Sequence, residues 1–339
     1  MRDGAGRHKF FGRAADAVIV GGQDKRVGGC MAKHVLVIGA TLLDTKGKPI
    51  AGLAPGTSNP AEIRSSRGGT ARNVAENLAR LGADVVLISA VGDDATGRQL
   101  LIQTAEAGVN LDYVQMLPDR TTGSYIALLE ADGLLSVALD DVRVMEVITP
   151  DYLNRHRGLF RDASMVMFDG SLTEASMKTV VRLAKENGVP ICADPASARL
   201  AYKLRPYLAD LNLVVPNQVE EAELCEVDFP GFDPTASLTL TRRLLMAGVE
   251  TVVVTLSDFG LDYATADEMG YIPPSHSKFV DSTGTGDAVT AAIMFGLLNG
   301  LPAVEAIRLG AAAAAITLQT TETVVPDLSL DMLYDHLIV

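Results

Sequence analysis

Near the carboxyl terminus, residues Asp281 to Asp287 contain a pattern suited to binding an anion and accepting a proton. The segment reads Asp-Ser-Thr-Gly-Thr-Gly-Asp and leads into the apolar run Val289 to Leu298, which predicts a buried helix. The amino end of such a helix presents unpaired backbone N–H groups and the positive end of its dipole, and the glycines let a phosphate approach the backbone. We therefore expect an anion hole followed by a carboxylate that accepts the proton of an attacking hydroxyl; these residues are Gly284, Thr285, Gly286 and Asp287.

The alternative for Asp287 is that its carboxylate only caps the helix. The loop contains neither the Gly-x-Gly-x-x-Gly pattern of dinucleotide sites nor the Gly-x4-Gly-Lys-Ser/Thr pattern of P-loops. The chemistry predicted from this loop is phosphoryl transfer, which depends mostly on positioning and charge stabilisation, with one base that orients the nucleophile.

Polar side chains follow several predicted strands. In open α/β sheets, ligands bind beyond the carboxyl ends of the strands, so these side chains are expected to converge on one site. Each of them could instead cap the helix that follows it. They are Asp44, Asp169, Asp194, Asn217 and Ser257.

Apolar runs that alternate with helical patterns predict an α/β fold with a parallel sheet flanked by helices. The predicted helices Ala71 to Leu81, Thr96 to Ala107 and Ser176 to Asn187 each end at a glycine. The predicted buried strands are His34–Gly39, Val85–Ser89, Met165–Phe168, Pro190–Ala193, Leu213–Val215 and Thr251–Thr255.

Two segments, about residues 45–67 and 113–145, interrupt this alternation. The second contains a predicted hairpin, Ser124 to Leu129 and Leu134 to Leu139, around Asp132-Gly133. We expect both segments to form a small antiparallel β lid beside the carboxyl ends of the main strands. The predicted organisation is one domain, residues 31–339, preceded by an extension, residues 1–30, that carries no chemistry.

The composition limits the classes of partner. The net charge of −13 opposes nucleic-acid binding, and no Lys/Arg cluster with interleaved aromatic residues is present. No apolar stretch approaches the roughly 20 residues needed to cross a bilayer, so no membrane span is expected. Three scattered cysteines in a chain of 339 residues favour a reducing compartment, and we expect the cytoplasm.

Two motifs, in this order, resemble the ribokinase-like family of carbohydrate and nucleoside kinases, often called the PfkB family. The first runs from Gly68-Gly69-Thr70-Ala71-Arg72-Asn73 to Gly92-Asp93-Asp94, and the second is the Asp281 to Asp287 loop. The similarity extends from about Val35 to Asp327. It implies a ribokinase-like fold, ATP and Mg²⁺ as cofactors, and a small-molecule sugar or nucleoside as the substrate.

The resemblance also assigns roles to individual residues around the acceptor. It makes Asp287 the catalytic base and the backbone of Gly284, Thr285 and Gly286 the anion hole. It implies that Gly68 and Gly69 form a hinge under the sugar and that Asp44 and Asn73 hold its hydroxyls. A carboxylate and an amide at fixed positions can bind two neighbouring hydroxyls; the alternative for Asn73 is a solvent-facing helical residue.

On the nucleotide side, the resemblance assigns Asn217 and Glu220 to an Asn-x-x-Glu motif whose glutamate helps to organise Mg²⁺ through water. Glu220 could instead be an ordinary acid in the first turn of a helix. The nucleotide loop is implied at Thr255, Ser257 and Gly260. The resemblance implies that the alanine run around Ala314 lies beside the adenine ring. The alternative is that these small residues pack against another helix. Asp281 and Thr283 occupy positions where many relatives bind a monovalent cation, which implies activation by K⁺.

Several segments resemble the pseudouridine kinases within this family, among them Ser58 to Ile63 and Arg72 to Ala79. The implied reaction transfers the γ-phosphoryl of ATP to the 5′-hydroxyl of pseudouridine, with a uracil edge bound by residues of the lid. These residues are Thr122, Ser124 and Asp141. The alternative is that they are simply polar residues on the solvent-exposed face of the strands.

Two other functions stay open at this stage. One is the same chemistry on another nucleoside or a free sugar, and the other is a nucleoside-binding regulatory protein without catalysis. In either case, we expect a homodimer in which two lids pair, because an exposed small sheet has edges and an apolar face to cover.

Overall fold

The computed structural model describes residues 33–130, 135–229, 231, 234–256, 260–274 and 279–337. The predicted extension, residues 1–30, lies outside these residues, as do Ser257 and the turn at 131–134. The strands, in chain order, are β1 (His34–Ile38), β2 (Leu42–Pro49), β3 (Ala61–Gly68), β4 (Val85–Gly92), β5 (Asn110–Leu117), β6 (Gly123–Leu129), β7 (Leu135–Asp141), β8 (Ala163–Asp169), β9 (Ile191–Asp194), β10 (Leu213–Val214), β11 (Thr251–Thr255), β12 (Leu261–Ala264) and β13 (Met269–Ile272).

The helices lie mostly between strands of the large sheet or after its last strand. The α-helices, in chain order, are α1 (Thr70–Arg80), α2 (Ala95–Glu106), α3 (Pro150–Arg155), α4 (Arg157–Arg161), α5 (Glu174–Glu186), α6 (Ala198–Ala201), α7 (Gln218–Leu224), α8 (Pro234–Met246), α9 (Thr285–Leu298), α10 (Ala303–Thr317) and α11 (Leu330–Asp335). Two 3₁₀ segments, Arg143–Val147 and Tyr202–Asp210, complete the described helical structure.

Nine strands of the described chain form the large sheet, in the order β13-β12-β11-β10-β9-β8-β1-β4-β5. All neighbouring pairs from β10–β11 to β4–β5 are parallel, and the pairs β11–β12 and β12–β13 are antiparallel. The parallel strands are apolar and β-branched because both faces of this sheet are covered. Their carboxyl ends lie at one edge, where a ligand site is expected.

Two apolar layers cover the large sheet. On one face, α1, α9 and α10 pack residues such as Leu78 and Ile293 against Val37. On the other face, α4 and α5 contribute Phe160 and Val180 beside Ile38. The helix α9 is buried along most of its length, as its sequence predicts. Within the residues described here, no helix combines the length and the apolar character needed to span a membrane.

The remaining four strands of the described chain form what we call the small sheet, in the order β3-β2-β6-β7. Its outer pairs, β2–β3 and β6–β7, are antiparallel, whereas β2 and β6 run parallel. The predicted lid segments, about 45–67 and 113–145, overlap this sheet with different limits. Residues 113–117 belong to β5, because they pair in parallel with β4 at the edge of the large sheet.

One buried carboxylate fixes the junction between the two sheets. Oδ2 of Asp169, at the end of β8, accepts hydrogen bonds from the backbone N–H of Ala40 at 2.9 Å and of Ala71 at 3.1 Å. Ala40 lies between β1 and β2, and Ala71 lies in the first turn of α1, just after β3. The same carboxylate therefore holds the chain where it enters the small sheet and where it leaves it.

The α/β class, the parallel sheet flanked by helices and the small sheet beside it confirm the predicted fold class. The predicted helices begin and end within two residues of α1, α2 and α5, and the glycines Gly82, Gly108 and Gly188 follow their ends. Strands β2 and β3 were not individually predicted, because their sequences are rich in Gly, Pro and charged residues.

Candidate active site

A cavity of about 300 Å³ lies at the carboxyl ends of the parallel strands, beneath the amino end of α9. It brings together residues that the sequence predicts for the anion hole, the nucleotide loop, the metal site and the adenine contact. The predicted residues that line it are Gly284, Thr285, Gly286, Asp287, Asn217, Glu220, Thr255, Gly260 and Ala314. Ser257 lies outside the described residues.

The amino end of α9 is shaped by a glycine that no other residue could replace without strain. Gly284 has a φ of 80°, in the left-handed region. A Cβ on Gly284 would lie 2.0 Å from the carbonyl oxygen of Thr323, whereas a Cβ on Gly286 would meet no heavy atom within 4 Å. The hydroxyl of Thr285, on the same turn, is buried without a hydrogen-bond partner. This turn therefore presents backbone and an unused hydroxyl to the cavity, as an anion site requires.

Asp287 lies in the first turn of α9, and its carboxylate is held by Asn73 from α1. Asn73 Nδ2 donates a hydrogen bond to Asp287 Oδ2 at 2.6 Å. Burial raises the pKa of Asp287 to about 6, although the hydrogen bond from Asn73 and the charge of Arg72 act in the opposite direction. A carboxylate with this pKa is ionised at neutral pH and still basic enough to accept a proton.

The position of Asn73 depends on Arg72, for which the sequence analysis gave no role. The Arg72 side chain is fully buried, pairs with Glu76 one turn along α1, and donates a hydrogen bond to Asn73 Oδ1. Its Nε also donates to the carbonyl oxygen of Gly68 at 3.0 Å. The available sequence signal was a pair of opposite charges four residues apart in a helix whose neighbouring residues are mostly apolar or small.

Asp44 lies on β2, against the backbone of β3. A Cβ on Gly68 would lie 2.1 Å from Asp44 Oδ1, so glycine is needed there for the close approach of the carboxylate. The next residue, Gly69, precedes α1 with a φ of 94°. Burial, followed by repulsion from Asp287, raises the pKa of Asp44 to about 7. The two predicted acceptor-binding residues, Asp44 and Asn73, are thus both brought to Asp287.

The predicted lid residues Ser124 and Asp141 are not brought to Asp44. Asp44 is level with Tyr125 on the neighbouring β6, and Tyr125 is level with Asp140 on β7. Because side chains alternate between the faces of a sheet, Ser124 and Asp141 lie on the opposite face. On β6 and β7, the residues level with Asp44 on its own face are Tyr125 and Asp140, which the sequence analysis missed. Asp44 and Asp140 both raise the pKa of Tyr125, after the larger effect of its burial.

Thr122 connects the small sheet to the large sheet through hydrogen bonds with Asp94 and Gly92. Its hydroxyl donates to Asp94 Oδ1 at 2.7 Å, and its backbone N–H donates to Asp94 Oδ2 at 2.8 Å. The backbone N–H of Gly92 donates to the same hydroxyl at 3.1 Å. Asp94 is also the N-cap of α2. These bonds use the hydroxyl hydrogen of Thr122 to fix the beginning of β6.

Asn217 and Glu220 form a capping box at the beginning of α7. Asn217 Oδ1 accepts the backbone N–H of Glu220 at 3.0 Å, and Glu220 Oε2 accepts the backbone N–H of Asn217 at 2.9 Å. Burial raises the pKa of Glu220 to about 7. The pKa of the nearby Asp194 is raised well above its usual value by burial and by the charges of Glu220 and Asp287. Among the residues that the structure describes, no group of three or more His, Cys, Asp or Glu side chains is arranged to hold a metal ion.

A lysine occupies the position that the resemblance implies for a monovalent cation. Lys46 Nζ donates to Asp281 Oδ1 at 2.7 Å and to Oδ2 at 2.8 Å, and it also contacts the hydroxyl of Thr283. Burial alone would raise the pKa of Asp281, but the bonds from Lys46 and Thr283 lower it below its usual value. The side-chain oxygens at the position predicted to bind K⁺ are therefore already bonded to an ammonium group.

The two glycines at the start of α9 differ in the cost of adding a methyl group. We expect Gly284→Ala to lower the free energy of unfolding by about 1–3 kcal/mol, because alanine is strained at this φ and would meet Thr323. Gly286→Ala should leave stability unchanged or raise it by up to about 1 kcal/mol, because alanine favours a helix more than glycine does. Urea unfolding of the two variants tests this. Equal destabilisation by both would show that Gly284 has no special backbone role.

The buried carboxylates predict a stability that depends on pH. The pKa of Asp44 is about 7 in the folded chain, against an ordinary value of 3.8, so its burial lowers stability as the pH rises from about 4 to about 7. At pH 8.5, Asp44→Asn should raise the melting temperature by a few degrees, and at about pH 4, close to the ordinary pKa, the difference should largely disappear. Thermal unfolding at both pH values measures this effect, with the exposed Asp119→Asn as a control. A lower melting temperature for Asp44→Asn at pH 8.5 would contradict the predicted repulsion.

Comparisons with known proteins agree with this geometry. Residues 32–329 match the family described as pfkB family carbohydrate kinase. The chain is 30% identical over 298 residues to a pseudouridine kinase of Escherichia coli K12, covering 88% of this chain and 94% of that protein. It is 29% identical over 298 residues to a guanosine-inosine kinase of Exiguobacterium acetylicum, covering 87% of this chain and 97% of that protein.

A solved structure of a carbohydrate kinase from Agrobacterium tumefaciens has the same fold. It superposes with a TM-score of 0.75 at 32% sequence identity, over 90% of this chain and 96% of that one. The family match covers the small sheet, the α1 motif and the α9 loop together. The chain therefore belongs to the pfkB family of carbohydrate kinases and is a sugar or nucleoside kinase that transfers a phosphoryl group to a hydroxyl.

Proposed function

We propose that this chain transfers the γ-phosphoryl group of ATP to the 5′-hydroxyl of a ribosyl nucleoside, and that the nucleoside is pseudouridine. The observation that carries the proposal is the position of Asp287, which lies in the first turn of α9, in the wall of the cavity, and is hydrogen-bonded to Asn73 at 2.6 Å. One carboxylate can thus contact the acceptor hydroxyl while the backbone beside it binds the transferred group.

The lining of the cavity suits both parts of a nucleotide. Ala311, Ala314 and Ala315 of α10 leave room for a flat ring, and Val215 and Leu261 add apolar lining. The amino end of α9, with the unpaired Thr285 hydroxyl, suits a polyphosphate. Asn217, Thr255 and Gly260 also line the cavity and would hold the nucleotide.

The carboxylates of Glu220 and Asp194 suit a magnesium ion, which binds through one or two carboxylates and keeps several waters. The ion, when bound with ATP, would neutralise charge that develops on the phosphates. Burial and repulsion from Glu220 and Asp287 raise the pKa of Asp194, and burial and repulsion from Asp287 raise the pKa of Glu220. A cation would relieve this repulsion. The capping box holds Glu220 in position for this role.

The reaction follows from these positions. Asp287 takes the proton of the acceptor hydroxyl while the oxygen of that hydroxyl forms a bond to the γ-phosphorus of ATP. At the same time, the bond between the γ-phosphorus and the β–γ bridging oxygen breaks, and ADP is the leaving group. The backbone of Gly284, Thr285 and Gly286 stabilises the charge on the transferred group. Arg72 fixes the amide of Asn73, which in turn holds the carboxylate of Asp287.

The acceptor would lie between α1 and the small sheet. Asp44 and Asn73 would bind the hydroxyls of the ribose over Gly68 and Gly69. The base would then extend toward Tyr125 and Asp140, which lie on the same face as Asp44. A phenol and a carboxylate can pair with the N–H and carbonyl groups of a uracil edge and would leave a bare sugar with unpaired partners.

Asp287→Asn tests the central role. We expect the wild-type chain to consume ATP with Mg²⁺ and pseudouridine, and the variant to lose at least about 10²-fold in kcat because it cannot accept the proton. A coupled assay should compare pseudouridine with uridine, guanosine, inosine, ribose and fructose 6-phosphate. Asp119→Asn, an exposed change, serves as the matched control.

The panel separates the alternatives. Turnover confined to another nucleoside or a sugar would keep the chemistry and replace the acceptor. Nucleoside binding in calorimetry without turnover of any acceptor would favour a regulatory binding protein. Undiminished turnover by Asp287→Asn would remove Asp287 from the mechanism.

We also propose a homodimer formed through the small sheet. The face opposite Asp44 carries Ile63, Ile126, Val137 and Leu139, which are between 50% and 71% exposed. Four large apolar side chains on one face of a sheet are costly to leave in water, and a second copy of the same face would cover them.

Ile126→Asp should convert the protein to a monomer, because a charge would be buried in the apolar interface. Light scattering at several protein concentrations measures the mass. Ile102→Asp, an equally exposed isoleucine on α2, should leave it unchanged. A wild-type protein that is monomeric at all concentrations would refute the dimer.

A further inference from the structure

Lys46 links the small sheet to the loop that precedes α9. It lies on β2, and its Nζ is 2.7 and 2.8 Å from the two carboxylate oxygens of Asp281. The same ammonium contacts the hydroxyl of Thr283, so its three donors meet three oxygens. The side chains of Lys46 and Asp281 are only 21% and 28% exposed. Solvent therefore screens this ion pair less than it screens a fully exposed surface pair.

The position of Lys46 connects the two halves of the proposed reaction site. Lys46 follows Asp44 by two residues, so both side chains lie on the same face of the small sheet. Thr283 directly precedes Gly284, the residue in the left-handed conformation that begins the anion hole. One strand therefore bears the carboxylate for the acceptor and the ammonium that contacts the phosphate-binding loop.

The side-chain oxygens of Asp281 and Thr283 already take part in hydrogen bonds, which opposes the binding of a metal ion to them. Thr283 donates two hydrogen bonds to Asp281, because its backbone N–H and its hydroxyl are 2.9 and 2.8 Å from Asp281 Oδ1. With Lys46 in place, a monovalent cation that reached these oxygens would lie within a few ångströms of a like charge, where repulsion is strong in a partly buried site.

We propose that Lys46 is a positioning residue that replaces a monovalent cation, so that phosphoryl transfer by this chain does not depend on K⁺. The inference rests on the proposed kinase function. The ammonium neutralises Asp281, whose charge would otherwise oppose a polyphosphate at the adjacent loop, and it holds the small sheet against that loop. Removal of the side chain leaves a cavity with unpaired oxygens, which a free cation can then occupy.

The test compares K⁺, Na⁺ and tetramethylammonium as chloride salts at constant ionic strength. Wild-type turnover should be the same in all three to within about twofold. Lys46→Ala should lose at least about tenfold in kcat in tetramethylammonium and recover most of it with K⁺ or with methylammonium, which restores the missing ammonium. Lys46→Met, which fills the space without charge, should lose activity and recover with neither cation.

Thermal unfolding supplies a readout that does not need turnover, and it separates this inference from the proposed function. K⁺ in place of tetramethylammonium should raise the melting temperature of Lys46→Ala and leave that of the wild type unchanged. Lys48→Ala, two residues further along the same strand and exposed, should behave as the wild type in both assays.

Three results would overturn the inference. They are a severalfold stimulation of the wild type by K⁺ over the other salts, a K⁺-specific rise in its melting temperature, and a Lys46→Ala variant with wild-type kcat in tetramethylammonium. A folded Lys46→Ala variant that responds to neither K⁺ nor methylammonium in either assay would equally exclude cation replacement. If the wild type turned over no acceptor, the unfolding experiment would still decide whether Lys46 occupies a cation site.

Discussion

The guanidinium of Arg72 is buried completely beside Glu76, which is itself fully buried and also accepts hydrogen bonds from Arg67 and Arg80. Burying two charges costs several kcal/mol per ion unless hydrogen bonds satisfy them, and removing one partner would leave the other uncompensated. The side-chain amide of Asn73 connects this buried ion pair to Asp287 in the proposed reaction centre. Arginine can only donate, so Oδ1 of Asn73 must face Arg72 and Nδ2 must face Asp287. The buried pair thus determines how Asn73 is oriented toward Asp287.

The carboxylates around the cavity are held in an environment that opposes their ionisation. The pKa values of Asp287, Asp44 and Glu220 are all raised, chiefly by burial, and Asp194 is raised further by its neighbours. The fold keeps these groups in place by other means, such as the backbone N–H bonds to Glu220 and the hydrogen bond from Asn73. A site that is unfavourable when empty is well suited to a ligand that carries both a divalent cation and hydroxyl groups.

The sequence was sufficient for those features that depend on local pattern. Buried strands such as β1 and β11, helices that end at glycines, and the loop before α9 all have signals within a few residues of one another. The orientation of the small sheet had no such signal. Whether Ser124 or Tyr125 faces Asp44 depends on the register between β2 and β6, which are about 80 residues apart in the chain, and a shift of one residue exchanges the two faces. The contact between Lys46 and Asp281, 235 residues apart, is of the same kind.

The carboxylates of Asp169 and Asp94, which anchor the small sheet, determine the axis about which that sheet would rotate. Asp169 holds the chain at Ala40 and Ala71, and Asp94 holds the beginning of β6 through Thr122. Two fixed points define an axis, and the small sheet extends from it as a lever arm that Lys46 ties to the loop before α9. A strand rises about 3.3 Å per residue, which places Asp44 roughly 13 Å and Lys46 roughly 20 Å from Ala40 along the lever arm. A rotation about this axis therefore moves Lys46 about 1.5 times as far as it moves Asp44. Small rotations produce their largest displacements at the end of the small sheet that lies farthest from the axis.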